Sequence, residues 1–286
     1  MKKFLFTTLF LLLFSSSAFA YTVGGASYSL SSNGWAWDQA YMTPFRDALE
    51  NPNFFGPGGI VEEEIVTTDL SVINSTTLSG VDMFVSSWID DGTAATFASE
   101  IQTFFLGGGD LFLLQDDSGH DGLGTSLGIS TTASDGSVSN GGFPFFDGPF
   151  GEANDVTQHY LTGQLDPDAI TSLNGNIVGT NESGEVTSAY WAAGEYAEGS
   201  GALFIIADVD MIATTTTCGE PVCGADYGEN LTDLNDNAIY ALNTFSFLMD
   251  GEEIPPTAPV PEPSTALLLG SGLVGLAWYG RKRKKA

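Results

Sequence analysis

Gly107-Gly108-Gly109-Asp110-Leu111-Phe112-Leu113-Leu114 is the segment that decides the fold class. It joins the end of a helical pattern, residues 93–106, to a short apolar run that is typical of a strand buried on both faces. A second run of this kind, Leu203-Phe204-Ile205-Ile206, lies far downstream. Buried strands that alternate with helices predict an α/β protein with a parallel sheet rather than a β-sandwich.

The other periodic segments fit this alternation. Strands are predicted at 21–28, 60–69, 81–88, 110–114 and 201–208, and helices at 35–50, 93–106 and 237–249. The helix at 35–50 rests on an apolar stripe at a spacing of four, formed by Trp37, Tyr41, Phe45 and Leu49. Residues 122–157 are rich in Gly and Ser and predict an irregular insertion of loops and short strands.

The strand that follows Gly107-Gly108-Gly109, together with a later buried strand and the segment 236–243, resembles class I glutamine amidotransferase-like domains. The resemblance covers residues 22–120 and 200–250. It implies a flavodoxin-like α/β fold, with helices on both faces of a parallel sheet. Enzymes of that family carry a Cys in the turn after the buried strand, but this chain has Gln115-Asp116-Asp117 there. Amidotransferase chemistry is therefore not expected.

Residues 1–20 have the three parts of a secretory signal peptide. Lys2 and Lys3 precede an apolar run, and Ala18-Phe19-Ala20 supplies a small-residue cleavage site. The run has about eleven apolar residues, whereas a membrane-spanning helix needs roughly 17 to 25, so a retained anchor is the weaker alternative. The sequence predicts export and a mature chain that begins at Tyr21.

The C-terminal end also has three ordered parts. Val260-Pro261-Glu262-Pro263 follows a proline-rich linker at 255–259 and precedes an apolar segment, 265–280, and a basic cluster, 281–285. Because Lys and Arg stay on the cytoplasmic side of a membrane span, this cluster predicts a transmembrane helix with its C-terminus in the cytoplasm. A plain C-terminal membrane anchor is one interpretation of the tail.

This tail, residues 260–286, resembles the PEP-CTERM sorting signal of Gram-negative bacteria that make exopolysaccharide. The resemblance implies recognition by an exosortase and cleavage near Pro261-Glu262-Pro263. It also implies that the protein is tethered transiently in the inner membrane and then moves to the outer surface or the extracellular matrix.

The region between leader and tail, with an exported domain at 21–254, is strongly acidic. All but one of the 36 acidic residues lie between residues 21 and 259, with Arg46 as the one basic residue there. Such a surface excludes nucleic acid as a partner, because binding phosphates needs clustered Lys and Arg. Cys218 and Cys223 lie close together in an exported chain and predict a local disulfide.

Pairs of aspartates follow three of the predicted strands. Because ligands bind at the carboxyl ends of parallel strands, these side chains are expected at one crevice. Three interpretations are open: caps of helices and turns, a calcium site, and the acid and base of a glycosidase. The residues are Asp90, Asp91, Asp116, Asp117, Asp208 and Asp210.

Other candidate residues are weaker. A nucleophilic triad of Ser118, His120 and Asp121 is disfavoured, because neighbours in sequence rarely converge on one reacting atom. Trp35 lies outside the apolar stripe and is a candidate contact for a sugar ring. The sequence therefore favours a non-catalytic binding or structural component of an exopolysaccharide matrix. The alternative is a secreted hydrolase that acts on glycans or esters through the acidic crevice.

Overall fold

The computed structural model describes residues 20–134, 137–139, 143–158, 162–215 and 223–251. The linker, the sorting tail, Cys218 and all but the last residue of the predicted signal peptide lie outside these ranges, so the predicted Cys218–Cys223 disulfide stays a prediction. Within these ranges, no helix combines the length and the apolar character needed to cross a membrane. The predicted transmembrane helix at 265–280 lies outside them.

Strands and helices alternate along the first half of the domain. In chain order they are β1 (Tyr21–Ala26), α1 (Tyr28–Ser31), α2 (Thr43–Leu49), β2 (Ile65–Leu70), α3 (Ser75–Leu78), β3 (Met83–Val85), α4 (Asp91–Ala94), α5 (Ala98–Leu106), β4 (Asp110–Leu114) and α6 (Gly122–Ser126).

The second half is richer in strands. Its elements are β5 (Thr131–Ser134), β6 (Ser137–Ser139), β7 (Asp147–Gly148), β8 (Gly151–Glu152), β9 (Val156–Thr157), β10 (Thr162–Leu165), α7 (Pro167–Ser172), β11 (Asn176–Asn181), β12 (Val186–Trp191), β13 (Leu203–Ile206), β14 (Thr214–Thr215), β15 (Cys223–Gly224) and α8 (Asp236–Asp250). Short 3-10 turns at Val209–Met211 and Leu231–Asp233 precede α8.

One large sheet organises these elements. Its central strands are parallel and follow the order β2-β1-β3-β4-β13. Antiparallel strands extend it beyond β13 in the order β12, β11, β6 and β9, while β10 pairs with both β12 and β5. The predicted α/β class with a parallel central sheet is therefore confirmed.

Helices pack on both faces of the parallel strands. Leu111 and Leu113 of β4 belong to a buried cluster with Phe105 of α5. Phe112 points to the opposite face, where its ring centroid lies 6.1 Å from that of Phe45 in α2 and 6.2 Å from that of Phe245 in α8. Alternate apolar residues of one strand thus bury two separate layers.

The predicted helix at 35–50 is wrong over its first half, because α2 begins only at Thr43. Pro44 lies in the first helical turn, where its missing N–H costs nothing and its ring disfavours a helix that runs through it. Before Pro44 the chain forms turns, and the Trp37 N–H donates to the Ala26 carbonyl at 3.0 Å. Trp37 is buried as expected, but Tyr41 remains partly exposed.

The sequence did not predict the antiparallel strands β10, β11 and β12. β12 is buried along its whole length, yet its sequence mixes Thr187 and Ser188 with Tyr190 and Trp191. It therefore shows neither a continuous apolar run nor an alternation of polar and apolar residues. The predicted insertion at 122–157 contains α6 and the short strands β5 to β9.

Candidate functional site

The carboxyl ends of β3, β4 and β13 meet at one edge of the sheet, because these strands are parallel neighbours. The segments that leave them are 86–88, 115–117 and 207–210. Trp35 reaches the same edge from the turns between α1 and α2, since it contacts residues of two of these segments. The strand-end aspartates therefore lie beside aromatic side chains that the sequence had not associated with them.

Four ring-bearing side chains form a continuous row at this edge, which we call the aromatic row: Tyr41, Trp35, Trp88 and His120. Their ring centroids are separated by 4.7 Å, 5.4 Å and 3.6 Å in that order. Trp88 and His120 are stacked with an interplanar angle of 19°. All four side chains are partly exposed, so the row presents ring surface to solvent.

Each tryptophan of the row donates a hydrogen bond to a buried carboxyl group. Trp35 Nε1 donates to Asp210 Oδ1 at 2.7 Å, and Trp88 Nε1 donates to Asp116 Oδ2 at 3.0 Å. Burial raises the pKa of Asp116 to about 8, and the charges of Asp117 and Asp210 add to this effect. Burial also raises the pKa of Asp210, to about 6, against the bond from Trp35.

Asp116 keeps one oxygen atom for other partners. Its side chain is only 9% exposed, and Oδ1 is buried without a hydrogen-bond partner among the described residues. The backbone of Gly163 packs directly on the Asp116 carbonyl, where a β-carbon would collide with it. Burying an unpaired carboxylate oxygen is unfavourable, so this atom is a position for the proton that the raised pKa of Asp116 implies.

Asp117 binds His120 at the end of the row. His120 Nδ1 lies 2.8 Å from Asp117 Oδ1, and the Gly119 N–H donates to the same oxygen at 2.8 Å. Burial alone would raise the pKa of Asp117, but these hydrogen bonds outweigh it and lower the pKa. Asp117 is therefore the ionised neighbour of the protonated Asp116 at neutral pH. We call the aromatic row with Asp116, Asp117 and Asp210 the aromatic–carboxylate face.

The triad Ser118, His120 and Asp121 does not form. His120 contacts Asp117 instead, Ser118 is exposed, and Asp121 Oδ2 accepts from the Thr131 N–H at 2.7 Å. The sequence reasoning missed the role of Asp117 because it counted this residue only as part of an aspartate pair.

Ser87 has an unusual backbone at the same edge, with a φ of 51° in the left-handed region. Such a conformation is uncommon for a residue other than glycine and often occurs at functional sites. Its hydroxyl donates to the Ser86 carbonyl at 2.6 Å, and it lines a cavity of about 10 Å³ together with His120. That volume holds about one water molecule, so a substrate does not reach Ser87 in this conformation.

The side chains of the remaining strand-end aspartates accept hydrogen bonds from backbone N–H groups. Asp90 caps α4 by accepting from the Thr93 N–H, and Asp208 accepts from the Asp210 N–H in the 3-10 turn. Asp91 Oδ1 accepts from the Asp121 N–H at 3.1 Å. In the part of the chain that the structure describes, no three His, Cys, Asp or Glu side chains are grouped so that they could hold a metal ion. The calcium site therefore stays a prediction.

A cavity of about 370 Å³ lies at the opposite edge of the sheet, where β1, β3 and β4 begin. Its walls include Tyr21, Phe104 and Asp110. The Tyr21 hydroxyl donates to Asp110 Oδ2 at 2.6 Å, and burial raises the pKa of Asp110. This cavity shares no residue with the aromatic–carboxylate face and supplies off-site positions for control substitutions.

The solved structures that are similar to this chain include two proteins of low sequence identity. The first is the mmIFT52 N-terminal domain, with 14% identity and a TM-score of 0.48 over 81% of this chain and 99% of that one. The second is exo-beta-1,4-mannosidase Op5Man5 from Opitutaceae bacterium strain TAV5, with 12% identity and a TM-score of 0.41 over 67% of this chain and 32% of that one. Because both TM-scores are below 0.5, neither similarity supports an inference about function.

The comparison with curated proteins found no match. Residues 259–284 match the family model of the PEP-CTERM protein-sorting motif. This match agrees with the sorting signal expected from the proline motif, the apolar segment and the basic end. The chain therefore carries a membrane-anchor-type sorting signal for export, which supports its processing by an exosortase.

Proposed function

We propose that this protein is sorted to the outer surface or extracellular matrix of a Gram-negative bacterium and there binds exopolysaccharide without catalysis. The aromatic–carboxylate face is the proposed binding site. The observation that carries the proposal is the partly exposed aromatic row, whose two tryptophans donate hydrogen bonds to two buried carboxyl groups. In this proposal the C-terminal helix tethers the chain in the inner membrane, with its C-terminus in the cytoplasm, until exosortase cleavage.

The chemistry of the face suits a sugar chain. Aromatic rings offer flat apolar surface against the C–H face of a sugar ring, while carboxyl oxygens accept hydrogen bonds from its hydroxyl groups. Trp35 was predicted as a sugar contact from sequence alone. The proposal adds Trp88, because its ring continues the row and its N–H orients Asp116.

The order of the parallel strands supports the location of the site. β1 has β2 on one side and β3 on the other, so the chain changes direction across the sheet at this point. We propose that the domain is a variant of the flavodoxin-like fold, as the amidotransferase-like resemblance implies. In such folds, ligands bind outside the carboxyl ends of the strands where the strand order reverses.

The test is retention of the purified full-length chain, kept in mild detergent, on immobilised exopolysaccharide of the producing bacterium. Retention is expected for the unchanged chain and is expected to fall at least about tenfold when Trp35→Ala and Trp88→Ala are combined, since stacked aromatic residues dominate such contacts. Phe104→Ala, at the opposite edge of the sheet, is the matched control and should leave retention unchanged. Equal retention of all three proteins would contradict the proposal.

A second candidate function is hydrolysis of glycans or esters. The observation that favours it is the pairing of Asp116, whose pKa of about 8 keeps it protonated, with the neighbouring ionised Asp117. An acid beside a carboxylate is the arrangement that glycosidases use. Turnover of chromogenic glycosides or esters that Asp116→Asn abolishes would establish this function. Absence of turnover, with retention on the polysaccharide intact, would support binding alone.

A further inference from the structure

The surroundings of the aromatic row carry negative charge. Asp117 binds His120 directly, and hydrogen bonds from Thr93 lower the pKa of Asp90, with a further contribution from the charge on His120. Both carboxylates therefore stay ionised in mildly acidic solution. They lie at the His120 end of the row, next to the exposed ring surface.

Basic side chains that could balance these charges are scarce in the part of the chain that the structure describes. Arg46 is the single Lys or Arg among the described residues. Its guanidinium lies 3.1 Å from Asp69 and stands over the Trp37 ring at 5.3 Å from the centroid. Arg46 is thus occupied at β2 and α2, so His120, which pairs with Asp117, is the one basic side chain at the row among the described residues.

Anionic, neutral and positively charged sugars differ in how well they suit this surface. An anionic sugar would be repelled by Asp117, Asp90 and the acidic domain as a whole. A neutral sugar would stack on the row but would bring no positive charge to the carboxylates. An ammonium group gains both an attraction to the tryptophan ring faces and charge-assisted hydrogen bonds to the carboxylates.

An unpaired oxygen provides a second, independent indication of a ligand. Asp116 Oδ1 is buried without a hydrogen-bond partner among the described residues, while Oδ2 of the same carboxyl group accepts from the indole N–H of Trp88. The aromatic–carboxylate face therefore combines stacking surface with ionised carboxylates and a buried carboxyl oxygen that lacks a partner among the described residues. A sugar with an amino group supplies the ring and the positive charge.

We propose that the aromatic–carboxylate face binds a positively charged amino sugar, such as the glucosamine units of a partly de-N-acetylated polymer. This inference rests on the proposed function of polysaccharide binding and narrows it to one charge class of ligand.

The experiment compares oligosaccharides of equal length by calorimetry with the full-length chain in mild detergent. The probes are a glucosamine oligomer, its N-acetylated counterpart, a neutral glucose oligomer and an anionic galacturonate oligomer. The buffer is mildly acidic, so that the sugar amines are charged while Asp117 and Asp90 remain ionised. We expect the glucosamine oligomer to bind at least about tenfold more tightly than the N-acetylated one, with no binding of the anionic oligomer.

Two variants test the site and two matched variants serve as controls. Trp88→Ala and Asp117→Asn should each lower the affinity for the glucosamine oligomer about tenfold. Phe104→Ala removes a ring at the opposite edge, and Asp168→Asn removes one exposed charge on α7, so both should bind normally. If the controls lose as much affinity as the site variants, the binding is a bulk charge effect and the inference is wrong.

The outcomes separate this inference from the function on which it rests. Equal binding of the charged and the N-acetylated oligomers, still lost in Trp88→Ala, would overturn the preference for an amino sugar and leave polysaccharide binding in place. Failure of every oligosaccharide and of the host polysaccharide to bind would overturn both.

Discussion

Trp88 stacks on His120 with ring centroids 3.6 Å apart, and its indole N–H donates to Asp116 Oδ2 at 3.0 Å. One side chain from the end of β3 therefore holds two groups that follow β4. The ring keeps His120 in place above the edge of the sheet, and the N–H is the one hydrogen-bond donor that the Asp116 side chain has among the described residues. Different substitutions of Trp88 can remove its ring and its hydrogen-bond donor separately.

Trp88→Phe should preserve an aromatic ring but leave both oxygens of Asp116 without a donor. We expect the free energy of unfolding to fall by about 1–3 kcal/mol, because a buried polar group loses its partner. Urea unfolding of the full-length chain measures this change. Phe104→Leu, a ring change at the opposite edge, is the control and should have a smaller effect. A loss equal to that of the control would show that the bond contributes nothing to stability.

Asp116→Asn should change how stability depends on pH. The folded pKa of Asp116 is raised to about 8, so the folded state binds more protons than the unfolded state between about pH 4 and that value. The contribution of this group is therefore fully favourable at low pH and is lost as pH rises toward 8. Asn does not titrate, so the variant should gain about 4 kcal/mol relative to the unchanged chain between about pH 5 and about pH 9, at about 1.4 kcal/mol for each pH unit up to pH 8.

The comparison uses urea unfolding at both pH values. Asp168→Asn removes one carboxylate from an exposed position and should follow the unchanged chain within about 0.5 kcal/mol. If the curves of Asp116→Asn and the unchanged chain run parallel across this range, Asp116 is not protonated in the folded state.

Gly25→Ala should destabilise the centre of the sheet. Gly25 lies in β1, and a β-carbon there would collide with the ring of Trp37. Because both groups are buried, the collision forces the indole or the strand to move, at an expected cost of about 1–3 kcal/mol. Thermal unfolding measures the loss. Gly80→Ala, whose β-carbon would lie 3.6 Å from the Thr77 carbonyl, is the matched control and should be tolerated.

Calcium provides a test of the acidic crevice. A ligand that binds only the folded state raises the unfolding midpoint by mass action. Since Asp90 and Asp208 cap backbone N–H groups, we expect calcium and magnesium at equal ionic strength to raise the midpoint equally, through screening of the acidic domain. A rise specific to calcium would instead establish the cation site that the aspartate pairs predict.

The elements that the sequence predicted well are those whose apolar pattern matches their own burial. β4 was predicted at its observed bounds, Asp110–Leu114, because both of its faces are covered and its residues are apolar without interruption. α8 was predicted within one residue at each end, because its apolar residues recur at helical spacing, although polar residues such as Asn243 and Thr244 are buried in it as well. In both cases the local sequence pattern agrees with the observed element.

The predictions failed where a distant contact decides the structure. The stripe from Trp37 to Leu49 fits a helix, but packing of Trp37 onto the end of β1 and the position of Pro44 replace its first half with turns. β12 is buried because β11 and β13 flank it, which its mixed composition does not reveal.

The candidate site was predicted in part. The strand-end aspartates and Trp35 were named from the sequence, because parallel strands present their carboxyl ends at one edge. Trp88 was read only as the last residue of a strand, and its stack with His120 depends on how two loops meet. Some of these aspartates cap the backbone, whereas others accept from the tryptophan N–H groups. The difference follows from side-chain directions that no local pattern encodes.

β4 and β13 are neighbours in the sheet, with Leu111 opposite Leu203, although the whole antiparallel region lies between them in the chain. During export the amino end arrives first, so the edge of β4 stays open until β13 follows. Open strand edges pair with other chains, and pairing between distant residues slows folding. A product cut short before residue 203 therefore leaves an unfinished sheet, so premature termination or proteolysis should yield aggregates or fragments for degradation rather than a smaller working domain.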